Sequence, residues 1–174
     1  NISGRRGSVN IDDEGEKTQR NILIKNGRVY SGTTDNPESV NIGIKDSVID
    51  YIGSESPESK TEIDASSYIV TPGFIDLHTH SDISFIVDPE ADSKLTQGVT
   101  FELVGNCGMS FCAPLNSNSK QTLSDRLGRY DSDVKVDWNN FNGWLEKIEK
   151  NKPSINMAAQ LGHGVLRSYV MGME

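Results

Sequence analysis

The sequence is short of cysteine, of basic residues and of long apolar runs, and each shortage excludes a class of protein. The two cysteines, Cys107 and Cys112, cannot form the disulfide framework of a small secreted domain, although a local bridge between them stays open. The 25 acidic residues outnumber the 17 basic ones and give a formal net charge of −8, which argues against a nucleic-acid binder. No apolar stretch reaches transmembrane length, and no secretory h-region opens the chain. We therefore expect a cytoplasmic protein with neither a membrane nor a nucleic-acid partner.

The sequence pattern divides the chain into three parts. Residues 1–20 are polar and charged, with an acidic stretch at 12–16, and we expect them to form a disordered tail. Residues 21–71 have the pattern of short β-strands. From residue 72 to residue 174, strands alternate with helices.

The β-rich part is predicted to be a small, mostly antiparallel sheet. Asn21–Lys25 has the composition of a strand, Asn26-Gly27 is a hairpin turn signal, and residues 28–30 are expected to return beside it. Further strands are expected at residues 40–44 and 48–53, and a last one through Ile63 and residues 69–70. No cluster of reactive side chains lies in this part, so we interpret it as a structural module.

The third part is predicted to consist of parallel βα units. Strands are expected at residues 74–77, 99–104 and 155–161, and helices at 90–96 and 138–150. Gly98 and Pro153 are the expected helix stops, and a long polar loop follows the second strand. A complete (β/α)8 barrel takes about 250 residues. The expected fold class is therefore α/β, as the first βα units of an incomplete TIM barrel.

Two of the three histidines, His78 and His80, follow the first of these strands. Phe74, Ile75 and Leu77 give that strand the apolar content of a buried one. Because side chains alternate along a strand, residues two apart project to the same side. Neutral imidazole is the commonest nitrogen ligand of zinc. The spacing therefore predicts a metal site at the strand exit, where barrel enzymes place their catalytic groups.

A cysteine lies at the exit of the second strand, in the segment Gly105-Asn106-Cys107-Gly108. The glycines allow the backbone to turn sharply and to approach a ligand. A lone cysteine is more often a buried, inert residue than a ligand. Its place beside the exit of the histidine strand favours the alternative, in which Cys107 is a metal thiolate.

Taken together, these segments resemble one branch of the amidohydrolase superfamily, the N-acyl-D-amino-acid deacylases or D-aminoacylases. Residues 72–80 look like the first barrel strand of the superfamily. The segments 98–100, 105–108 and 162–167 are similar to those of the deacylase branch, and the Asn-Cys-Gly segment is the more specific mark. The resemblance runs from the first β-strands to the end of the sequence.

The resemblance implies a β-sandwich beside a metal-dependent (β/α)8 barrel, with residues 21–71 as part of the sandwich. It implies hydrolysis of N-acyl-D-amino acids to a carboxylate and a free D-amino acid, by a water that zinc activates. His78, His80 and Cys107 would bind the Zn²⁺, with Cys107 bridging. Two further histidines and the catalytic aspartate would come from later strands, beyond Glu174. The rest of the barrel would come from the same or another chain, and residues 1–174 alone are expected to be inactive.

Four more side chains near these segments have expected roles. We expect Asp76 to orient His78 or a neighbouring group, with a structural carboxylate as the alternative, and we interpret Asp82 as a structural carboxylate. His163 and Arg167 are candidate substrate-binding residues, since arginine pairs with carboxylates, although a backbone hydrogen bond and a solvated surface position are the alternatives. The basic side chains of the polar loop, which are expected to be solvated, are Lys120, Arg126 and Arg129.

Two other functions stay open from the sequence. One is a cyclic-amide hydrolase of the same superfamily, such as a dihydropyrimidinase or hydantoinase, which the early sandwich and the paired histidines also suit. The other is a truncated or degenerate homologue that binds or assembles without catalysis, because the sequence covers only part of a barrel. Alone, such a part would expose unpaired strand edges, so we expect it to belong to a longer polypeptide, to pair with another fragment or to fold poorly. A comparison of the turnover of N-acetyl-D-amino acids with the turnover of hydantoins distinguishes the deacylase from the cyclic-amide hydrolase.

Overall fold

The computed structural model describes residues 19–112, 114–128 and 134–172, in two compact units that divide between Pro72 and Gly73. Of the tail predicted over residues 1–20, residues 1–18 lie outside the described residues. Its last residue, Arg20, is instead the first residue of a strand, because its amide donates to the Glu58 carbonyl and its guanidinium pairs with Asp50 at 2.9 Å. Within the described part of the chain, no helix has both the length and the apolar content to cross a membrane.

The first unit contains two small sheets of mixed direction. The four-stranded sheet has the order β5-β4-β1-β6 and the three-stranded sheet the order β3-β2-β7. β1 pairs with β6 and β2 with β7 in parallel, while the other pairs are antiparallel, so the antiparallel prediction holds only in part. The strands are β1 (Arg20–Lys25), β2 (Arg28–Val29), β3 (Glu38–Ser39), β4 (Asn41–Lys45), β5 (Val48–Gly53), β6 (Ser59–Asp64) and β7 (Ile69–Val70).

The hairpin predicted at Asn26-Gly27 is wrong, because β1 and β2 belong to different sheets. Asn26 does adopt a left-handed conformation, with φ of 65°, but its amide donates to the side chain of Asn41 and its side chain donates to Asp64. A β-carbon on Gly27 would lie 2.7 Å from Val70 Cγ2. The turn therefore passes the chain from one sheet to the other, and tertiary contacts override the local hairpin preference.

The second unit is built on a parallel sheet of three strands in the order β10-β9-β8, as the alternating pattern predicts. Its elements are β8 (Phe74–Asp76), α1 (Ser84–Val87), α2 (Asp92–Leu95), β9 (Val99–Val104), α3 (Ser117–Leu127), α4 (Phe141–Asn151), β10 (Asn156–Ala159) and α5 (His163–Met171). Gly98 ends the α2 segment with φ of 81°, and its amide donates to the Leu95 carbonyl. The helix predicted at 90–96 is shorter than expected, and α1 precedes it.

The core of the second unit lies among its helices and the loop that follows β9. Trp138 is fully enclosed, and its indole N–H donates to the Phe111 carbonyl at 2.7 Å, which satisfies the polar end of a buried aromatic ring. The other buried apolar residues are Ile83, Phe85, Ile86, Ala91, Val104, Phe111, Cys112, Leu115, Leu123, Leu127, Trp144, Ile148 and Ile155. This core supports the ends of the strands where the candidate site lies.

The prediction that β8 is a buried strand is wrong for the described residues. Phe74, Ile75 and Leu77 are 54%, 63% and 65% exposed. Among the strands that the structure describes, β8 lies at an edge of its sheet and pairs only with β9. An apolar run predicts burial only when another layer covers it, and within the described part of the chain the core packs elsewhere.

Besides α1, two helices are not predicted from the sequence. α3 lies in the segment predicted as a long polar loop; Asn116 begins it by accepting the Ser119 amide at 3.0 Å, and Leu123 and Leu127 bury one stripe of an otherwise polar helix. α5 follows Gly162 directly. Of the basic loop residues, Lys120 is half-buried on α3, whereas Arg129 and the side chain of Arg126 lie outside the described residues.

α4 begins three residues later than the predicted 138–150, because Asn140 caps it. The Asn140 side chain accepts the Gly143 amide at 3.1 Å, and Lys152 in the left-handed conformation ends the helix just before Pro153. We expect Asn140→Ala to lower the free energy of unfolding by about 1 kcal/mol, since it leaves a helix amide without its acceptor. Chemical denaturation measures this. The neighbouring exposed residue is the control: Asn139→Ala should change stability by less than about 0.5 kcal/mol, and equal losses in both variants would contradict the capping role.

Candidate metal centre

Three side chains meet where β8 and β9 end. The potential ligand atoms of His78, His80 and Cys107 all lie within 4.8 Å of one another. His78 Nε2 is 3.3 Å from Cys107 Sγ, and the two imidazole rings stand 5.8 Å apart at 72°. All three residues are exposed. The structure therefore brings together the residues that the sequence predicts as ligands, with open access from solvent.

Cys107 lies in a tight turn at the end of β9. The Met109 amide donates to the Asn106 carbonyl at 3.0 Å, and the two central residues, Cys107 and Gly108, have φ of 54° and 74°. Positive φ at both central positions is the signature of a type I′ turn. A non-glycine residue there costs of order 1 kcal/mol or more. The turn directs the thiol toward His78, and the strained backbone conformation of Cys107 is the cost of that direction.

Asn106 ties the cysteine turn to the histidine segment. Its side-chain amide donates to the Thr79 carbonyl at 3.1 Å and to the Leu103 carbonyl at 2.7 Å. The Thr79 amide in turn donates to the Leu103 carbonyl at 3.3 Å. Asn106 and Thr79 are both buried, so these bonds are shielded from water. The residue between the two histidines is thus fixed to the strand that carries the cysteine.

Below the three donors lies a network of charged side chains. Asp76 accepts the backbone amide of His78 at 3.2 Å and pairs with Lys94 at 3.0 Å. The hydrogen bond from Lys94 lowers the pKa of Asp76, and the bond to Glu102 raises the pKa of Lys94. The orienting role predicted for Asp76 thus has a contact that supports it, made to the backbone of His78 and not to its ring.

Asp82 is buried beneath the same loops. Its residual exposure is 3%, and burial raises the pKa of its carboxyl, while the backbone amides of Asp82, Gly105 and Phe111 oppose the shift. One carboxylate oxygen, Oδ1, is buried without a hydrogen-bond partner among the described residues, and the structural role expected of Asp82 stays a prediction.

His163 lies beside the cysteine turn. It begins α5, and the amide of Val165 donates to the Gly108 carbonyl at 3.2 Å. A β-carbon on Gly162 would lie 2.7 Å from the same carbonyl, so glycine is required there by close backbone packing. The His163 ring is exposed. Arg167, one turn further along α5, is also exposed, and it forms no ion pair with another described residue.

The sequence does not identify Lys94 and Glu102 as residues of the site. It also does not predict that the Asn106 side chain connects the cysteine turn to the histidine segment. One signal was present: Glu102 is the lone carboxylate in the apolar strand Val99–Val104 and is fully buried. A buried carboxylate needs a charged or hydrogen-bonding partner. The partner, Lys94, is separated from it by a turn and part of a strand, and the sequence does not reveal which basic residue reaches it.

The donor set is of the kind that zinc binds. Two imidazole nitrogens and one thiolate match the nitrogen and sulfur ligands of Zn²⁺, while hard cations such as Mg²⁺ prefer oxygen. Three protein ligands with solvent access are the arrangement of a catalytic site, in which a further position stays open for water or substrate.

Comparison with curated proteins identifies relatives of known activity. N-acyl-D-glutamate deacylase of Alcaligenes xylosoxydans xylosoxydans is 38% identical over 153 residues, which are 86% of this chain and 30% of the relative. D-aminoacylase of the same organism is 32% identical over 154 residues, again 86% of this chain and 30% of the relative. The chain therefore spans about 30% of the length of the curated relatives it matches.

Solved structures give the same result. The zinc complex of N-acyl-D-glutamate deacylase from Bordetella bronchiseptica, with a phosphonate inhibitor, superposes with a TM-score of 0.71 at 31% identity, over 88% of this chain and 31% of that one. A D-aminoacylase structure has a TM-score of 0.74 at 29% identity, and the match covers 87% of this chain and 31% of that one. L-hydantoinase from Arthrobacter aurescens shares the fold alone. Its TM-score is 0.51 at 21% identity, and the match covers 81% of this chain and 27% of that one.

The family assignment follows from the extent of the match as well as from the motifs. Residues 61–174 match the amidohydrolase family, and this segment contains β8, β9, β10 and all three clustered donors. The resemblance drawn from the sequence segments is confirmed by these matches. The chain belongs to the amidohydrolase family.

Proposed function

We propose that this chain is part of a zinc-dependent hydrolase that cleaves the amide bond of N-acyl-D-amino acids to a carboxylate and a free D-amino acid. The observation that carries the proposal is the cluster of His78, His80 and Cys107, whose ligand atoms lie within 4.8 Å of one another. The relatives named for N-acyl-D-glutamate deacylase and D-aminoacylase activity support the substrate class.

In this proposal His78 and His80, as neutral imidazoles, and Cys107, as a thiolate, hold Zn²⁺. Bound zinc supplies an acidified water and polarises the scissile carbonyl. Asp76 fixes the backbone of His78, and Asn106 holds the residue between the histidines against the cysteine strand. Both hold the three donor atoms close together before any ligand binds.

We extend the proposal to the fold and to substrate contacts. The parallel βα units form part of a (β/α)8 barrel, and the first unit contributes strands to a β-sandwich, as the similarity to D-aminoacylase supports. The remaining metal ligands and the carboxylate that transfers the proton come from strands outside this sequence, since the relatives are about three times longer. His163, beside the cysteine turn, and Arg167 are the proposed contacts for the substrate. The cytoplasmic location stays a prediction.

The proposal is tested by turnover in the full-length protein. We expect hydrolysis of N-acetyl-D-amino acids, loss of that activity after dialysis against a chelator, and its return with Zn²⁺, because the acidified water depends on the metal. The L-enantiomers of the same substrates are the control. Amino-acid release by a chelator-treated sample at the untreated rate would contradict the zinc mechanism.

Hydantoins and dihydropyrimidines test the cyclic-amide alternative in the same assay. That alternative rests on the paired histidines and the β-rich part that precedes them. Faster turnover of a cyclic amide than of every N-acetyl-D-amino acid would replace the proposed substrate class while leaving the metal centre in place.

A further inference from the structure

Lys94 lies between two carboxylates on neighbouring strands. Its ammonium is 2.8 Å from Glu102 Oε1 on β9 and 3.0 Å from Asp76 Oδ2 on β8. Lys94 itself comes from α2, in the segment that connects the two strands. One cation thus binds both members of a pair of acids that the sheet brings together.

The sheet makes this cation necessary. Asp76 and Glu102 are direct register partners in the parallel pair of β8 and β9, so their side chains emerge next to each other. Like charges on adjacent strands repel, and the Glu102 side chain has no exposure to solvent that would weaken the repulsion. Removing one partner of a buried ion pair leaves an uncompensated charge. Without Lys94, the two strands would carry an unneutralised pair of acids.

The second oxygen of each carboxylate contacts the histidine segment. Asp76 Oδ1 accepts the backbone amide of His78 at 3.2 Å, and Glu102 Oε2 accepts the hydroxyl of Thr79 at 3.3 Å. Lys94 therefore connects, through one acid each, to two consecutive residues of the His78-Thr79-His80 segment. A shift of either acid moves the backbone from which an imidazole projects.

We propose that Lys94 is a positioning residue for the metal centre: by holding Asp76 and Glu102 together it sets the direction of His78 and His80 toward Cys107. The inference rests on the proposed zinc site and adds a residue to it that makes no contact with the metal. Groups that orient metal ligands typically contribute 10–100-fold to metal affinity. We expect Lys94→Met to weaken metal binding by at least about tenfold.

The experiment measures Co²⁺ binding to the full-length protein, using the thiolate-to-metal charge-transfer band that a cysteine ligand gives. Lys94→Arg keeps the positive charge and should bind Co²⁺ more tightly than Lys94→Met. Lys147→Met is the matched control, because it removes a lysine ion pair of 2.8 Å, with Asp137. That variant should keep the wild-type dissociation constant. Unfolding of the metal-free proteins in urea shows separately how much stability each variant loses.

The outcomes separate this inference from the proposed function. Absence of the charge-transfer band in the wild type would contradict the zinc site itself. A wild-type band together with an unchanged dissociation constant in Lys94→Met would overturn the positioning role alone. If Lys94→Met does not fold, the double variant Lys94→Met/Glu102→Gln, which leaves no unpaired charge on β9, takes its place. In that variant, weakening of at least about tenfold supports the role, and unchanged affinity overturns it.

Discussion

Cys107→Ser is expected to lower the affinity for zinc by more than about 100-fold and to abolish hydrolysis, since loss of a direct ligand exceeds the 10–100-fold effect of groups that only orient ligands. Cys107 supplies the sulfur of the cluster, 3.3 Å from His78 Nε2. A hydroxyl is a far poorer ligand for zinc than a thiolate. Metal analysis of the purified full-length protein, followed by competition with a chelator of known affinity, measures the change.

Two further variants make this result specific. Cys112→Ser is the control, because Cys112 is buried and donates to the Gln160 carbonyl, so zinc content should stay at the wild-type level. Cys107→Gly also removes the sulfur, and the glycine that replaces the cysteine tolerates the φ of 54° at this position. Loss of zinc in this folded variant would assign the effect to the ligand. Full zinc occupancy in Cys107→Ser would remove the cysteine from the metal centre.

Gly105→Ala is expected to destabilise the protein by about 3 kcal/mol or more, because it combines two penalties at one position. Gly105 has φ of 81°, and a β-carbon there would lie 2.1 Å from the Gln160 carbonyl oxygen. The oxygen is a backbone atom and the β-carbon is bonded directly to the backbone, so neither can move aside as the end of a flexible side chain would. The expected result is a lower denaturation midpoint, together with weaker metal binding, since Gly105 leads into the cysteine turn.

The chain offers a matched glycine for this test. A β-carbon on Gly128 would meet no atom of the described residues within 4 Å, so Gly128→Ala should leave the midpoint unchanged or slightly raised. Similar denaturation midpoints in the two alanine variants would contradict the close contact between Gly105 and the Gln160 carbonyl.

The proximity of the three donors could be predicted from sequence because it follows from strand geometry. Parallel strands place their carboxyl ends at one edge of the sheet, so residues just after β8 and β9 meet there. The residues that hold the donors in place could not be predicted in the same way. Lys94 reaches Glu102 through the packing of a short helix, and Asn106 bonds to a carbonyl 27 residues earlier in the chain.

The errors in the fold prediction have a common physical cause. Asn26-Gly27 has the local preference of a hairpin, yet contacts with Asn41, Asp64 and Val70 decide where the chain goes next. α3 has few apolar residues, so its pattern is weak, and it is stabilised by burial of one narrow stripe. In each case the sequence describes local preference correctly, and a distant partner determines the outcome.

The exposed thiol of Cys107 also determines how the metal-free protein must be handled. Cys112 is buried, and burial raises the pKa of its thiol, which keeps it in the unreactive form. Cys107 is the accessible cysteine, so alkylating reagents and peroxide react there first. Chelator treatment therefore calls for a reductant throughout, because a sulfenic acid formed at this position would prevent reloading and mimic an inactive enzyme.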